Sequence, residues 1–157
     1  MAGHDARMSQ DPSDLEQIET LITRLYAAIT FEKGDRPPVE SLRRLFLDGA
    51  RLINNNDVAP QIMTVEQFIS MYSGRVDQGL IASFRENEIC HKTELFGNVA
   101  HRFSTYESRF ETEARDPFSI GINSIQMLKI GKEWKIAGMV WNDQTPDRTI
   151  PERYLKQ

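Results

Sequence analysis

The run Gly121-Ile122-Asn123-Ser124-Ile125-Gln126-Met127-Leu128-Lys129-Ile130, then Gly131-Lys132, then Glu133-Trp134-Lys135-Ile136, reads as two extended segments joined by a two-residue turn. That turn sets a register in which Lys129 faces Trp134, Met127 faces Ile136, Ile125 faces Gly138 and Asn123 faces Val140. Strand side chains alternate between faces, so these residues share one mostly apolar side. Gln126, Ser124, Lys135, Met139 and Trp141 share the other. The apolar set is assigned to the concave, core-facing side of a sheet, and the mixed set to the convex side.

Working back along the chain, Gly97-Asn98 is a second turn of this kind and Asp116-Pro117 marks a wider one. The segment from Leu80 onward therefore divides into four strands. About Gly97-Asn98, Leu95 pairs with Ala100, His91 with Ser104, Ile89 with Tyr106, Asn87 with Ser108 and Arg85 with Phe110. A four-residue turn Ala114 to Pro117 brings Tyr106 opposite Ile125 and Ser108 opposite Asn123, so both hairpins agree on one inner face. Its polar members are Arg85, Asn87, His91, Ser104, Tyr106, Ser108 and Asn123, with no aspartate or glutamate. A bulge in any strand exchanges the faces beyond it.

The N-terminal half has helical rather than alternating periodicity. Ser13 and Glu16 have capping-box spacing, and Leu15, Ile18, Ile22, Leu25 and Ile29 form an apolar stripe that ends near Gly34. Pro38 opens a short second helix with Val39, Leu42, Leu45 and Phe46 on one face. A short extended piece follows around Leu52 and Ile53, then a turn-rich Asn54-Asn55-Asn56-Asp57 to Pro60. Thr64 with Gln67 caps a third helix bearing Phe68, Ile69 and Tyr72, and Gly79 stops it. Helices first and a strand meander afterwards predict an α+β domain. Residues 1–12 are expected to be a disordered tail, 13–145 the domain, and 146–157 a C-terminal loop or strap.

That element order, with Phe96-Gly97-Asn98-Val99-Ala100, Ser104-Thr105-Tyr106-Glu107-Ser108-Arg109, Gly121 to Met127, Trp134-Lys135-Ile136 and Trp141, resembles the nuclear transport factor 2-like superfamily, in particular its SnoaL-like members with the ketosteroid isomerase-like fold. The resemblance covers roughly residues 14–143. It implies a cone-shaped, cystatin-like α+β roll, a curved antiparallel sheet wrapped around three N-terminal helices. The superfamily holds isomerases, dehydratases, cyclases, transport factors and non-catalytic dimerisation modules, so fold alone assigns no reaction.

Composition narrows the classes. With 157 residues, 39% hydrophobic, 27% charged and a net charge of −4, the chain is an ordinary globular domain without a basic stripe for nucleic acid. No run approaches the roughly 20 apolar residues of a membrane span, and the N-terminus lacks a signal-peptide core, so a cytoplasmic location is the default expectation. The single Cys90, with His91 and Glu94, has no zinc-ligand spacing and reads as a small strand side chain. No metal or cofactor is expected.

A concave, mostly apolar face with few polar groups describes a small-molecule site. His91 is read either as a general acid–base group or as a structural histidine. Tyr106 either packs or donates its phenol to a developing enolate oxygen, as the resemblance to ketosteroid isomerases implies. Asn87, Ser108, Asn123 and Arg85, with Tyr26 and Tyr72 reaching in from the helices, are the expected ligand contacts. Asp48 or Asp57 supplies a carboxylate base only if its loop folds inward. The expectation is a pocket for a small, largely hydrophobic molecule, with isomerase, dehydratase or hydrolase chemistry open. The alternative is a non-catalytic homodimeric scaffold. In both cases a homodimer is expected to pair through convex-face Gln126, Met139 and Trp141.

Overall fold

The structure, a computed structural model, describes residues 12–111 and 115–157. The expected N-terminal tail therefore lies, apart from Pro12, outside the described residues, as does Ala114 of the expected wide turn. Helix α1 (Asp14–Ala27) starts where Ser13 accepts the Glu16 N–H at 3.2 Å. It buries Ile18, Leu21, Ile22 and Leu25 and ends seven residues before Gly34, because residues 28–30 turn the chain into an isolated bridge between Phe31 and Phe84. The second helix is shorter than expected: a 3-10 turn at Val39–Ser41 and one α-turn, α2 (Leu42–Leu45). Phe46 already belongs to strand β1 (Phe46–Asn54). Strand β2 (Gln61–Thr64), which has no clear signal in four residues, precedes α3 (Val65–Asp77). There Thr64 and Gln67 form the expected reciprocal capping box, at 3.1 and 2.9 Å.

Strands β3 (Arg85–Phe96), β4 (Val99–Arg109), β5 (Ser119–Ile130) and β6 (Glu133–Asp143) form the meander. The sheet order is β2-β1-β6-β5-β4-β3, antiparallel throughout except for a parallel β1–β6 pair. Both two-residue turns are present: Phe96 pairs with Val99 and Ile130 with Glu133, across Gly97 and Gly131 at φ 57° and 61°. That left-handed geometry is one that glycine adopts without a Cβ clash. The core lies between the helices and the concave face, where Ile18, Ile22, Leu25 and Leu42 meet Ile125, Met127 and Ile136. Asp14 ties α1 to the β5–β6 hairpin by accepting from Lys129 Nζ at 2.9 Å and Trp134 Nε1 at 3.0 Å.

Two bulges correct the face assignments. In β6 the pairing steps from Met127–Ile136 to Gln126–Gly138, leaving Ala137 as the extra residue. Beyond it Met139, Trp141 and Asp143 point inward, and Gly138 and Val140 outward. Met139 and Trp141 are therefore not on the convex face, and the dimer interface expected there loses both. Burial of two large apolar side chains in place of glycine and valine outweighs the interrupted ladder. In β3 the pairing steps from Glu88–Tyr106 to Cys90–Thr105, with Ile89 unpaired. His91 still opposes Ser104, as read from the turn, but Asn87 and Arg85 now oppose Glu107 and Arg109 on the outer face. Glu86 and Glu88 take the inner positions opposite Ser108 and Tyr106. The β4–β5 register is also shifted, Tyr106 facing Gly121 and Ser104 facing Asn123, but by an even number of residues, so the faces of these two strands survive.

The exposed edge of β3 is closed by side chains. Thr30 Oγ1 accepts from Glu86 N at 3.2 Å and shares its one hydrogen between Tyr26 O at 3.0 Å and Glu86 O at 3.3 Å. Farther along, the Gln157 amide takes His91 N at 2.9 Å and reaches His91 O at 3.1 Å. Both devices occupy backbone groups that would otherwise pair with another strand. The C-terminal segment crosses the convex face: Thr105 Oγ1 donates to Tyr154 O at 2.6 Å, and the Tyr154 ring lies 5.5 Å from Phe103.

Candidate functional site

Between the helices and the concave face lies a cavity of ≈ 250 Å³, near the lower end of the roughly 300–1,000 Å³ usual for ligand pockets. One wall is a run of aromatic rings. Trp141 meets Phe68 edge-on at 6.4 Å, Phe68 stacks on Tyr72 at 6.0 Å, Tyr72 meets Phe84 at 6.4 Å, Phe84 lies 5.4 Å from Phe110, and Phe110 meets Phe118 at 4.6 Å. Phe118, Phe110, Arg75 and Asn56 line the cavity yet are exposed, which marks its rim.

Two carboxyl groups, Glu86 and Asp143, face this space together with the phenol of Tyr106. Tyr106 is buried and donates its hydroxyl hydrogen to Asp143 Oδ1. Burial first, then the Asp143 carboxylate, pushes its phenol pKa upward, so it stays a neutral donor. Asp143 is also held by Asn56 Nδ2 at 3.2 Å. Burial, with the Asp143 charge adding to it, pushes the Glu86 carboxyl up to about 8. Glu86 is half-buried and lines both this cavity and a groove at the β3 edge. No hydrogen bond holds the Glu86 carboxyl among the described residues. Together these groups form a proton acceptor near neutrality beside a phenol aimed at a carboxylate.

Gly121 makes room for this arrangement. A Cβ there would meet the Tyr106 hydroxyl and lie 2.6 Å from the Asn142 carbonyl oxygen, a backbone atom that cannot move aside. Gly121→Ala is expected to cost about 1–3 kcal/mol through overpacking and to turn Tyr106 away from Asp143. Urea denaturation together with the tyrosine ring signals in NMR reads both effects.

The remaining expected site residues divide. Tyr26, Tyr72, Ser108 and Asn123 line the cavity. Their polar atoms already have partners: Tyr72 Oη donates to Ile29 O, and the Ser108 and Ser119 hydroxyls meet at 2.5 Å. Asn123 Nδ2 donates to Tyr26 Oη at 3.1 Å, and Tyr26 meets Ser104 Oγ at 2.5 Å. Ser104 donates its one hydrogen to Glu88, so Tyr26 is the donor to Ser104. Arg85 and Asn87 do not line the cavity. Arg85 pairs with Glu32 at 3.1 Å, and Arg85 and Asn87 line a separate polar groove at the β3 edge that Glu86 also lines. His91 faces inward but stands apart from the cavity, 3.8 Å from Glu19. Asp48 and Asp57 are exposed and do not line this cavity. The carboxylates that face the space are Glu86 and Asp143, each turned inward by a bulge.

Arg102, 1% exposed, lies on the same inner face but outside the cavity lining. Its five N–H groups all have acceptors: Glu88 through Nε at 3.0 Å and through Nη2, Glu19 at 2.6 and 3.3 Å, and Thr93 Oγ1 at 3.4 Å. Burial alone would lower its pKa, and the bonds to Glu88 and Glu19 override that and raise it. Glu19, Glu88 and His91 bring ligand atoms within 4.8 Å of one another, a spacing a metal ion could use. The guanidinium already neutralises both carboxylates, and a cation added beside it would be repelled.

No protein-family model and no curated protein matches this chain. Solved structures do. An NTF2-like protein from Cytophaga hutchinsonii is 18% identical, covering 85% of this chain and 100% of its own, at TM-score 0.66. A protein of unknown function with a cystatin-like fold from Nostoc punctiforme is 14% identical over 87% and 97%, at TM-score 0.66. Yeast UBP3-associated protein BRE5 is 11% identical over 86% and 99%, at TM-score 0.64. At these identities the likeness is one of fold: the chain has the NTF2-like, cystatin-like architecture. Among the described residues no helix is long and apolar enough to cross a membrane.

Proposed function

We propose that the chain binds a small, largely apolar carbonyl compound in the concave cavity and moves a proton on it, as an isomerase or dehydratase does. The observation that carries this reading is the Glu86 carboxyl, raised to about 8 and without a hydrogen-bond partner among the described residues, facing an aromatic-walled space beside the Tyr106–Asp143 pair. Once ionised, Glu86 accepts a proton from carbon next to the carbonyl while Tyr106 turns its hydroxyl to the oxygen on which charge develops, and the protonated Glu86 then returns the proton at another carbon of the enolate as the carbonyl reforms. A carboxylate near 8 is a stronger base than one near 4, which suits a weakly acidic C–H. His91, offered by the sequence for this role, stands outside the cavity.

Native mass spectrometry of gently purified protein, followed by thermal-shift measurements with small cyclic enones, tests the reading. Retained mass, or a Tm rise that Glu86→Gln preserves while solvent deuterium incorporation into the enone is lost, is the expected result. Empty protein without a Tm rise across the panel overturns it. The same spectrum reports subunit number. A homodimer is supported by exposed Phe103 and Val140 on the convex face, now without Met139 or Trp141.

A further inference from the structure

We infer that the cavity's ligand is a ring compound bearing one carboxylate, which Arg75 holds at the rim while the ring lies along the aromatic wall. This rests on the reading that the cavity takes a small molecule, and it adds the ligand's class and the residue that selects it.

Arg75, in the last turn of α3, is the single cationic side chain lining the cavity among the described residues. A helix C-terminus accounts for a cation at that position but not for its place on the rim. Several other arginines are engaged: Arg36 with Asp77 at 2.7 Å, Arg43 with Glu66 at 2.6 Å, Arg109 with Glu107 at 2.7 Å, and Arg102 with two glutamates; Arg24, Arg44 and Arg115 are exposed to solvent and do not line the cavity. The Arg75 guanidinium has no hydrogen bond or ion pair among the described residues. Neither cavity carboxylate is its counterion. Asp143 is engaged by Tyr106 and Asn56, and the Glu86 pKa is raised, where a nearby guanidinium would lower it.

The sign of the lining therefore changes along its length, with a guanidinium at the exposed rim and carboxylates within. A ligand with its anionic group inside would be repelled by Asp143. A fully neutral one would gain nothing from the guanidinium, which would stay hydrated at the rim. One carboxylate at the rim and an apolar ring inside satisfies both ends, and the guanidinium fork matches a carboxylate with two parallel hydrogen bonds. The rings running from Trp141 to Phe118 offer faces and edges to a flat body.

The probes are 2-naphthoic acid and its neutral, near-isosteric 2-naphthamide, titrated calorimetrically at pH 7 into the full chain. The native protein is expected to bind the acid about tenfold more tightly, an advantage that shrinks in high salt. Arg75→Gln brings the acid down to the level of the amide and leaves the amide unchanged, and Arg75→Lys retains part of the preference. Equal binding of acid and amide by the native chain, or a preference that survives Arg75→Gln, overturns the role of Arg75 while amide binding keeps the pocket reading. Failure of folded protein to bind either probe overturns both.

Discussion

Glu86→Gln is expected to make the protein more stable than the native chain in alkaline solution and indistinguishable from it in acid. The folded carboxyl titrates at about 8, against 4.5 for an ordinary glutamate. Below the lower value the folded and unfolded chains both hold the proton, and Glu86 contributes no pH dependence. Between the two values the unfolded chain releases the proton while the folded chain keeps it, so the folded state binds more protons and stability falls as pH rises. Above 8 both are ionised and the penalty is complete. At about 1.4 kcal/mol per unit, that penalty is on the order of 4–5 kcal/mol at most, a large share of the roughly 5–15 kcal/mol that holds a domain together. Glutamine keeps the shape and cannot ionise, so the difference between the two denaturation curves opens across this window and then levels. Parallel curves from pH 4 to 9 would mean that Glu86 is solvated like a surface carboxylate, and the proposed base would have no basis.

The second large effect is at Arg102. Arg102→Met removes the guanidinium that neutralises Glu88, whose side chain is only 17% exposed, and Glu19, whose side chain is 53% exposed. Glu19 can turn to water. Glu88 is left ionised on an inner face, together with Ser104 and the Tyr26 and Asn123 groups linked through it. Breaking a buried pair from one side costs about 3–5 kcal/mol, because the survivor is an uncompensated charge. Arg102→Met combined with Glu88→Met removes both members and is expected to regain much of the loss, since well-packed apolar groups replace such pairs at little cost. Guanidinium titrations of the two single variants and the double variant measure the coupling. Additive losses would mean that Glu88 gains little from Arg102 in the folded chain.

Both residues show where inference from pattern succeeds and where it stops. Arg102 lies between Ala100 and Ser104, and alternation alone places it inside with them. Alternation gives no sign of the carboxylates that accept its charge, which come from α1 and β3, far away in the chain. Glu86 had the opposite history. Counting back from Gly97-Asn98 puts it outside, and the count is right as far as Cys90. Ile89 then adds one residue and exchanges Asn87 and Arg85 for Glu86 and Glu88. Ala137 does the same to Met139 and Trp141, moving them from an expected interface into the cavity.

What the sequence determined by itself is local. The caps at Ser13 and Thr64, the α1 stripe, the turns at Gly97 and Gly131 and the pairing next to each turn follow from neighbours a few residues apart, and they suffice for an α+β roll with the right strand count in the meander. The parallel β1–β6 pair, the two bulges, the partners of Arg102 and the desolvation of Glu86 depend on contacts between segments remote in the chain. Tertiary structure alone decided them, because a bulge is chosen by what the following side chains meet across the core, and a carboxyl's pKa by what excludes water around it.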